Sequence, residues 1–263
     1  MRAVAEDMGL WAYAVINAST PMRSVAGIAG GMVGTVVAGD LAAVASPVDL
    51  ADYGEDALRR NLEHLPWLEA AARAHHGVIA EAATAGAVVP LRLATVYRTE
   101  AGLAGMLVRN RADFHLAFDR IQGRSEWGVK AYAATATVTS RPASQATTEL
   151  RSERGSGAQY LSQRKARLAA SEQARKVAVA SARDVHAMLS SVSVATDLHQ
   201  PQDPQLSGRR DRMIMNGTYL VDDQASSEFT AAVRDAAVGS PALQLELTGP
   251  WPPYSFAAVA AEG

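Results

Sequence analysis

The sequence predicts a two-domain α+β protein whose second domain has the ferredoxin-like order. Three observations predict it. Hydrophobic patterns read β-β-β-α-β-α before Gln122-Gly123-Arg124-Ser125 and β-α-β-β-α-β after it. One helical pattern in the second half, Ala158 to Val192, runs for about 35 residues, or about 50 Å, more than that fold needs. A chain of 263 residues is long for one hydrophobic core and comfortable for two. The predicted domains are 1–123 and 124–263.

In the first half, Leu10 to Asn17 is apolar and aromatic and predicts a buried strand ended by Ala18-Ser19-Thr20-Pro21. The Val-rich runs Met32 to Ala38 and Leu41 to Ala45 predict a hairpin turning at Gly39-Asp40 and closed by Pro47. Asp56 to Ala85 is helical, with Leu58, Leu62, Leu65 and Leu68 at helical spacing and Pro66 splitting or kinking it. Ala87 to Leu93 predicts a strand, and Thr99 to Ile121 a helix with Leu103, Met106, Leu107, Phe114 and Phe118 inward.

In the second half, Glu126 to Thr139 predicts a strand and Arg141 to Gly157 a loop. On the long helix, Val177, Ser181, Val185, Leu189 and Val192 mark the buried stripe, so the N-terminal half should project beyond the sheet. A short strand (Val194 to Leu198), a turn-rich link (Gln200 to Gly208), a strand (Arg212 to Val221) and a helix (Ser226 to Val238) follow. Leu243, Leu245 and Leu247 alternate with Gln244, Glu246 and Thr248, the period of a strand with one buried face. Gly249-Pro250 should stop its ladder, since proline has no N–H to donate. The Pro-rich tail beyond carries Trp251, Tyr254 and Phe256. Rings of that size need cover, so the tail is predicted to fold back with Trp251 as its anchor.

Composition narrows the function classes. The chain is 48% hydrophobic, 20% charged and 6% aromatic, with formal charge −2: an ordinary globular balance that argues against generic polyanion binding. The absence of cysteine excludes disulfides, thiolate metal sites and cysteine nucleophiles and fits a cytoplasmic protein. Met1 to Asp7 is charged, without an export-type apolar region behind it. Val25 to Ala38 is apolar but only about 14 residues long where a spanning helix needs about 20, so no membrane segment is predicted.

Each catalytic or binding pattern meets an ordinary explanation. His75 and His76 are adjacent, so on a helix they point about 100° apart and cannot share a metal; they read as structural or surface histidines. Gly27 to Gly34 resembles a phosphate loop but lacks the Lys-Ser/Thr ending and leads into a strand. Asp222-Asp223 reads as a turn before a helix. Arg164, Lys165, Arg167, Arg175, Lys176 and Arg183 give the long helix a basic face, which reads as solvated or as a docking face for an acidic protein. No catalytic, cofactor-binding or metal-binding residue is predicted.

Several segments carry a resemblance together: Leu10 to Val15, Val36 to Val44, Ala74-His75-His76, Val89 to Tyr97, Glu126-Trp127-Gly128-Val129-Lys130, Gly157 to Leu161 with Arg164-Lys165, Asn216 to Val221, and Gly249-Pro250-Trp251-Pro252-Pro253-Tyr254-Ser255-Phe256. In this order they resemble the gas vesicle protein GvpL/GvpF family over nearly the whole chain. The chain departs from the family at Leu93-Ala94, where Phe-Gly is usual, and at Gly217-Thr218 within Asn216 to Val221. The resemblance implies an N-terminal α+β domain of unusual topology and a modified ferredoxin-like C-terminal domain. It implies a non-enzymatic, cofactor-free protein needed for gas vesicle assembly, as a minor structural component or helper binding the shell protein GvpA and other Gvp proteins, without nucleic acid or membrane. Candidate interaction or anchor residues are Trp127, Tyr160, Arg164, Lys165, Trp251, Tyr254 and Phe256. The alternative is an RNA-binding module on the ferredoxin-like half; Trp127 and Tyr132, on opposite faces of their strand, argue against it.

Overall fold

The computed structural model describes residues 7–134, 156–201, 212–257 and 259. The loop expected over 141–157 falls almost wholly, and the link expected over 200–208 largely, outside the described residues. By its contacts the chain forms two compact units that interleave in sequence, where the sequence reading drew one cut at 123/124. The first takes Met1–Trp127, Leu220–Gln224 and Gly249–Gly263; the second takes Gly128–Tyr219 and Ala225–Thr248.

The first unit is built on β1 (Met8–Asn17), β2 (Gly34–Ala38) and β3 (Leu41–Asp49), joined by the short β4 (Val89–Pro90) and β5 (Val96–Tyr97). The sheet order is β2-β3-β1-β4, with β5 also on β1, and every pairing is antiparallel. The predicted hairpin forms, with Gly39 at φ +66° in its turn and Asp40 taking two hydrogen bonds from Arg111, at 2.7 and 2.9 Å. β1 lies inside the sheet, and Trp11 to Ile16 are wholly buried. A register shift between Ala12 and Ala14 makes Tyr13 an extra residue. Tyr13 and Ala14 therefore face the same side, with Trp11 and Ile16, while Ala12 and Val15 face the other.

Helices cover both faces. α1 (Leu50–Tyr53), α2 (Glu55–Asn61) and α3 (Leu65–Ala83) follow β3, and α4 (Glu100–Arg109) and α5 (Arg111–Ile121) follow β5. Val78, Ile79 and Ala82 of α3 pack with Trp11, Tyr13 and Val44. Leu103, Met106, Leu107, Phe114 and Phe118 pack with Ala12, Val15 and Leu41. Pro66 splits the Asp56–Ala85 pattern by occupying the first turn of α3, where its missing N–H costs nothing. The Thr99–Ile121 pattern is two helices. They break at Asn110, whose side chain bonds back to the Met106 carbonyl at 3.0 Å. The strand expected over 87–93 pairs only at Val89–Pro90.

Pro47 does not close β3, which runs on to Asp49. β2 pairs β3 only as far as Ala45, so at Pro47 that side of β3 is a free edge where no donor is needed. Between β4 and β5, Ala94 sits at φ +66°, a region that favours glycine. This is the position at which the family resemblance shows glycine.

A second sheet has the order β7-β8-β6-β9, formed by β6 (Arg124–Ala133), β7 (Ala195–His199), β8 (Met213–Asp222) and β9 (Leu243–Trp251). α6 (Ser156–Ser191) lies between β6 and β7, and α7 (Ser226–Gly239) between β8 and β9. The second unit's core joins Tyr219, with its ring 5.5 Å from Phe229 of α7, to the inward stripe of α6. That stripe is Ala178, Ala182, Val185 and Leu189, whereas Val177 is 45% exposed. Small alanines let a helix approach closely, so the buried line runs through them instead of the larger valine. From Tyr160 to Val177 every residue of α6 is exposed, as the expected projecting half requires.

His75 is a structural histidine, 4% exposed. Its Nδ1 accepts from Trp11 Nε1 at 2.9 Å and its Nε2 donates to the Leu91 carbonyl at 3.1 Å. Burial holds its pKa down to about 4. A proton on Nδ1 would break the Trp11 bond, so unfolded His75 takes up a proton near pH 6.5 that the folded chain refuses. This stability is complete above that pH and is lost as pH falls towards 4. Chemical denaturation should show a fall on the order of 3 kcal/mol over that interval, absent from His75→Gln. Equal pH profiles for the two proteins would contradict it. Ala94→Gly should raise the unfolding free energy by about 0.5 kcal/mol or more, since a Cβ in the left-handed region costs about 1–2 kcal/mol; a lower midpoint in urea would contradict it.

Candidate functional site

The C-terminal tail of the first unit gathers most of the aromatic candidates. β9 does not stop at Gly249-Pro250 but continues to Trp251. It is the last strand of its sheet, so Pro250 can sit where no ladder donor is missing. Pro252 and Pro253 then turn the chain. Their carbonyls accept from Tyr254 N (2.8 Å), Phe256 N (3.2 Å) and Ala257 N (3.0 Å). Pro253, Phe256 and Ala257 are buried, and Ala257 joins the core of Leu103 and Phe114.

A carboxylate holds this turn in place. Glu126, only 7% exposed, accepts from Ser255 N at 2.7 Å and from Ser255 Oγ at 2.8 Å. Hydrogen bonds to an ionised group are the strong ones, and burial makes their loss costly. Gly249 sits against the next residue of β6. Its φ is +119°, and a Cβ there would lie 2.9 Å from the Glu126 carbonyl and 3.2 Å from Trp127, so only glycine fits. The Arg120 guanidinium lies 5.6 Å from the centroid of the Phe256 ring, a cation–π contact on the same turn.

On the outer side of the turn lies an aromatic face. The His76 ring is 5.4 Å from Trp251 at 71° and 6.0 Å from Tyr254 at 31°. The Tyr254 hydroxyl is 2.8 Å from His76 Nδ1. Burial, and then the Glu126 charge, push Tyr254 up to about 12. The phenol therefore keeps its proton, and its hydroxyl is held within hydrogen-bond reach of the His76 ring. Trp251 remains 42% and Tyr254 36% exposed. An open groove of about 840 Å³ runs beside Trp251, lined among others by Ala80, Ala83, Val88, Arg124 and Pro253.

The structure therefore draws Trp127, Trp251, Tyr254 and Phe256 to one place in the first unit. The anchor is Phe256, 5% exposed, and not Trp251. The reason is geometric: Trp251 still belongs to an edge strand, while Phe256 lies beyond the turn that points back to the core. Tyr160, Arg164 and Lys165 lie on the exposed end of α6 in the second unit. Sequence reasoning missed Glu126, Ser255 and Arg120 as partners of the tail, and His76 as its receptor. Glu126 and Ser255 stand inside the two most specific segments, which was the available signal. Asp222 and Asp223 form a polar turn, accepting from Arg124 (2.9 Å) and Ser125 (2.6 Å). Among the described residues no three His, Asp or Glu side chains come together as a metal site, and no helix is long and apolar enough to cross a membrane.

Residues 9–258, a span holding both Glu126 and Ser255, the two halves of this hydrogen-bonded clamp, match the family model described as gas vesicle synthesis protein GvpL/GvpF. The chain belongs to this family. It is 40% identical over 227 residues to gas vesicle protein L of Streptomyces sp. (strain CB03234), covering 85% of this chain and 82% of that protein. Its fold is similar to the crystal structure of gas vesicle protein GvpF from Anabaena sp. PCC7120, with TM-score 0.64 at 17% identity over 96% of this chain and 97% of that one. The GvpF structure from Microcystis aeruginosa is similar too, with TM-score 0.63 at 16% identity over 95% and 99%. Membership of the GvpL/GvpF family sets the role as one in gas vesicles.

The clamp makes a prediction for this family member. Ser255→Ala and Glu126→Gln should each lower the unfolding free energy of the full chain by about 1–3 kcal/mol in urea titrations. Midpoints equal to wild type for both would show that the clamp carries no stability.

Proposed function

We propose that this protein is a non-enzymatic gas vesicle assembly component that works in the cytoplasm, binding the shell protein GvpA and other gas vesicle proteins through its tail. Family membership across residues 9–258 supports the gas vesicle role. The observation that carries the finer reading is the half-exposed Trp251, held at the end of β9 beside the His76 ring, which also meets Tyr254. An exposed tryptophan fixed in place loses little entropy on binding and supplies a large apolar contact. A subunit that keeps water out of a gas space needs an apolar face, and such a face must be covered before assembly. A fixed aromatic surface with a groove beside it suits that task.

The second half is proposed to be a modified ferredoxin-like domain. The order β6-α6-β7-β8-α7-β9 and the sheet order β7-β8-β6-β9 support this, with α6 as the long helix. The RNA-binding alternative loses its platform, because Trp127 is 7% and Tyr132 2% exposed and neither offers a ring for base stacking.

The test is Trp251→Ala in the full chain. Its melting temperature should stay within a few degrees of wild type, because the ring is half in solvent, while vesicle formation and GvpA co-purification fall sharply. Phe256→Ala should instead destabilise by about 3–5 kcal/mol. A Trp251→Ala protein that melts normally and still supports vesicles and GvpA binding would overturn the reading.

A further inference from the structure

The exposed end of α6 is strongly charged. From Tyr160 to Val177 it carries Arg164, Lys165, Arg167, Arg175 and Lys176 against the single carboxylate Glu172, on a chain whose formal charge is −2. All are exposed. Arg175 is engaged by Glu172 at 2.8 Å; no ion pair is seen for the other four cations among the described residues. At 100° per residue the six charged positions fall in about one half of the helix circumference. The same half carries Tyr160, Leu161 and Leu168, which are 64%, 64% and 63% exposed. The other half, with Ala166, Ala169, Ala170, Gln173 and Val177, has no charge. This end of the helix is a cationic arm with apolar side chains set among the charges.

The first unit carries a surface of opposite character. Asp49, Asp52, Glu55, Asp56, Glu63 and Glu69 are exposed along α1, α2 and the start of α3, against Arg59 and Arg60. Arg59 is engaged locally by Glu55 at 3.0 Å. Two contacts bring the three helices to one surface: Asn61 Nδ2 donates to the Asp52 carbonyl at 3.3 Å, and the Tyr53 and Trp67 rings lie 6.2 Å apart. Leu62 (38%) and Leu65 (64%) are exposed among these carboxylates. The excess is four positive charges on the arm and four negative charges on this surface, each with exposed apolar residues.

We propose that the cationic arm of one copy docks on the acidic α1–α3 surface of a second copy of this chain. The carboxylates meet Arg164, Lys165, Arg167 and Lys176, and Leu62 and Leu65 meet Tyr160, Leu161 and Leu168, giving a charged rim around an apolar centre. The two surfaces differ, so the contact is head to tail, and repeating it builds a chain or a ring. This rests on charge and exposure alone and needs no gas vesicle component, so it stands or falls separately from the tail reading.

Analytical ultracentrifugation of the full chain tests it. At about 50 mM salt the weight-average mass should rise at least about 1.5-fold between low and high micromolar protein, and the rise should vanish at about 500 mM salt. The arm variant Arg164→Glu/Lys165→Glu/Arg167→Glu and the surface variant Asp52→Lys/Glu63→Lys/Glu69→Lys should each stay monomeric, with the melting curve of wild type confirming their fold. An equimolar mixture of the two variants restores opposite charges at both contacts and should associate again. A wild-type chain that is monomeric at low salt, variants that associate like wild type, or a mixture that stays monomeric would overturn the proposal. Binding of polyuridylate by wild type and not by the arm variant, without self-association, would assign the arm to nucleic acid and overturn it equally.

Discussion

A carboxylate taken out of water must find its hydrogen bonds inside the protein, and Glu126 finds two of them on one residue of the tail. This constraint ties residues 129 positions apart. Once Ser255 is fixed, Phe256 and Ala257 are delivered to the core of the first unit and Arg120 reaches the Phe256 ring. The turn at Pro252-Pro253 then holds Tyr254 against His76, and Trp251 with it. The same strand that supplies Glu126 places Trp127 against Gly249, where a side chain would not fit. The two most specific segments of the sequence are thus the two halves of one clamp.

The clamp gives the exposed aromatics their meaning. A tail of this length left loose would spend conformational entropy on any partner it bound. Fixed by a buried charge and a buried ring, Trp251 and Tyr254 present a preorganised face, and the prolines stiffen the backbone between them. That is the physical basis on which partner recognition is proposed at this turn. The histidines divide the labour: His75 is locked inward between Trp11 and Leu91, and His76 is turned outward to the tail.

Patterns that depend on neighbouring residues were legible in the sequence. The β2–β3 hairpin followed from two Val-rich runs about Gly39-Asp40, and the helix break before Pro66 from the proline itself. The exposed end of α6 followed from helix length. What depends on the tertiary partner was not legible. Pro47 and Pro250 read as stops because a sequence does not say which side of a strand is an edge. Val177 outranked Ala178 on hydrophobicity, yet close helix packing selects the alanine. Trp251 outranked Phe256 on size, yet the turn points Phe256 inward. Glu126 opens a strand pattern, and nothing local announces that Ser255 meets it.

The central claim is that the Glu126 carboxylate fixes the tail, and hydrogen exchange at the Ser255 amide of the full chain reads it most directly. In wild type that amide should be protected to a degree comparable with the amides of β1, and in Glu126→Gln its protection should drop while the β1 amides keep theirs. A Ser255 amide that exchanges in wild type as fast as an unstructured residue would contradict the account.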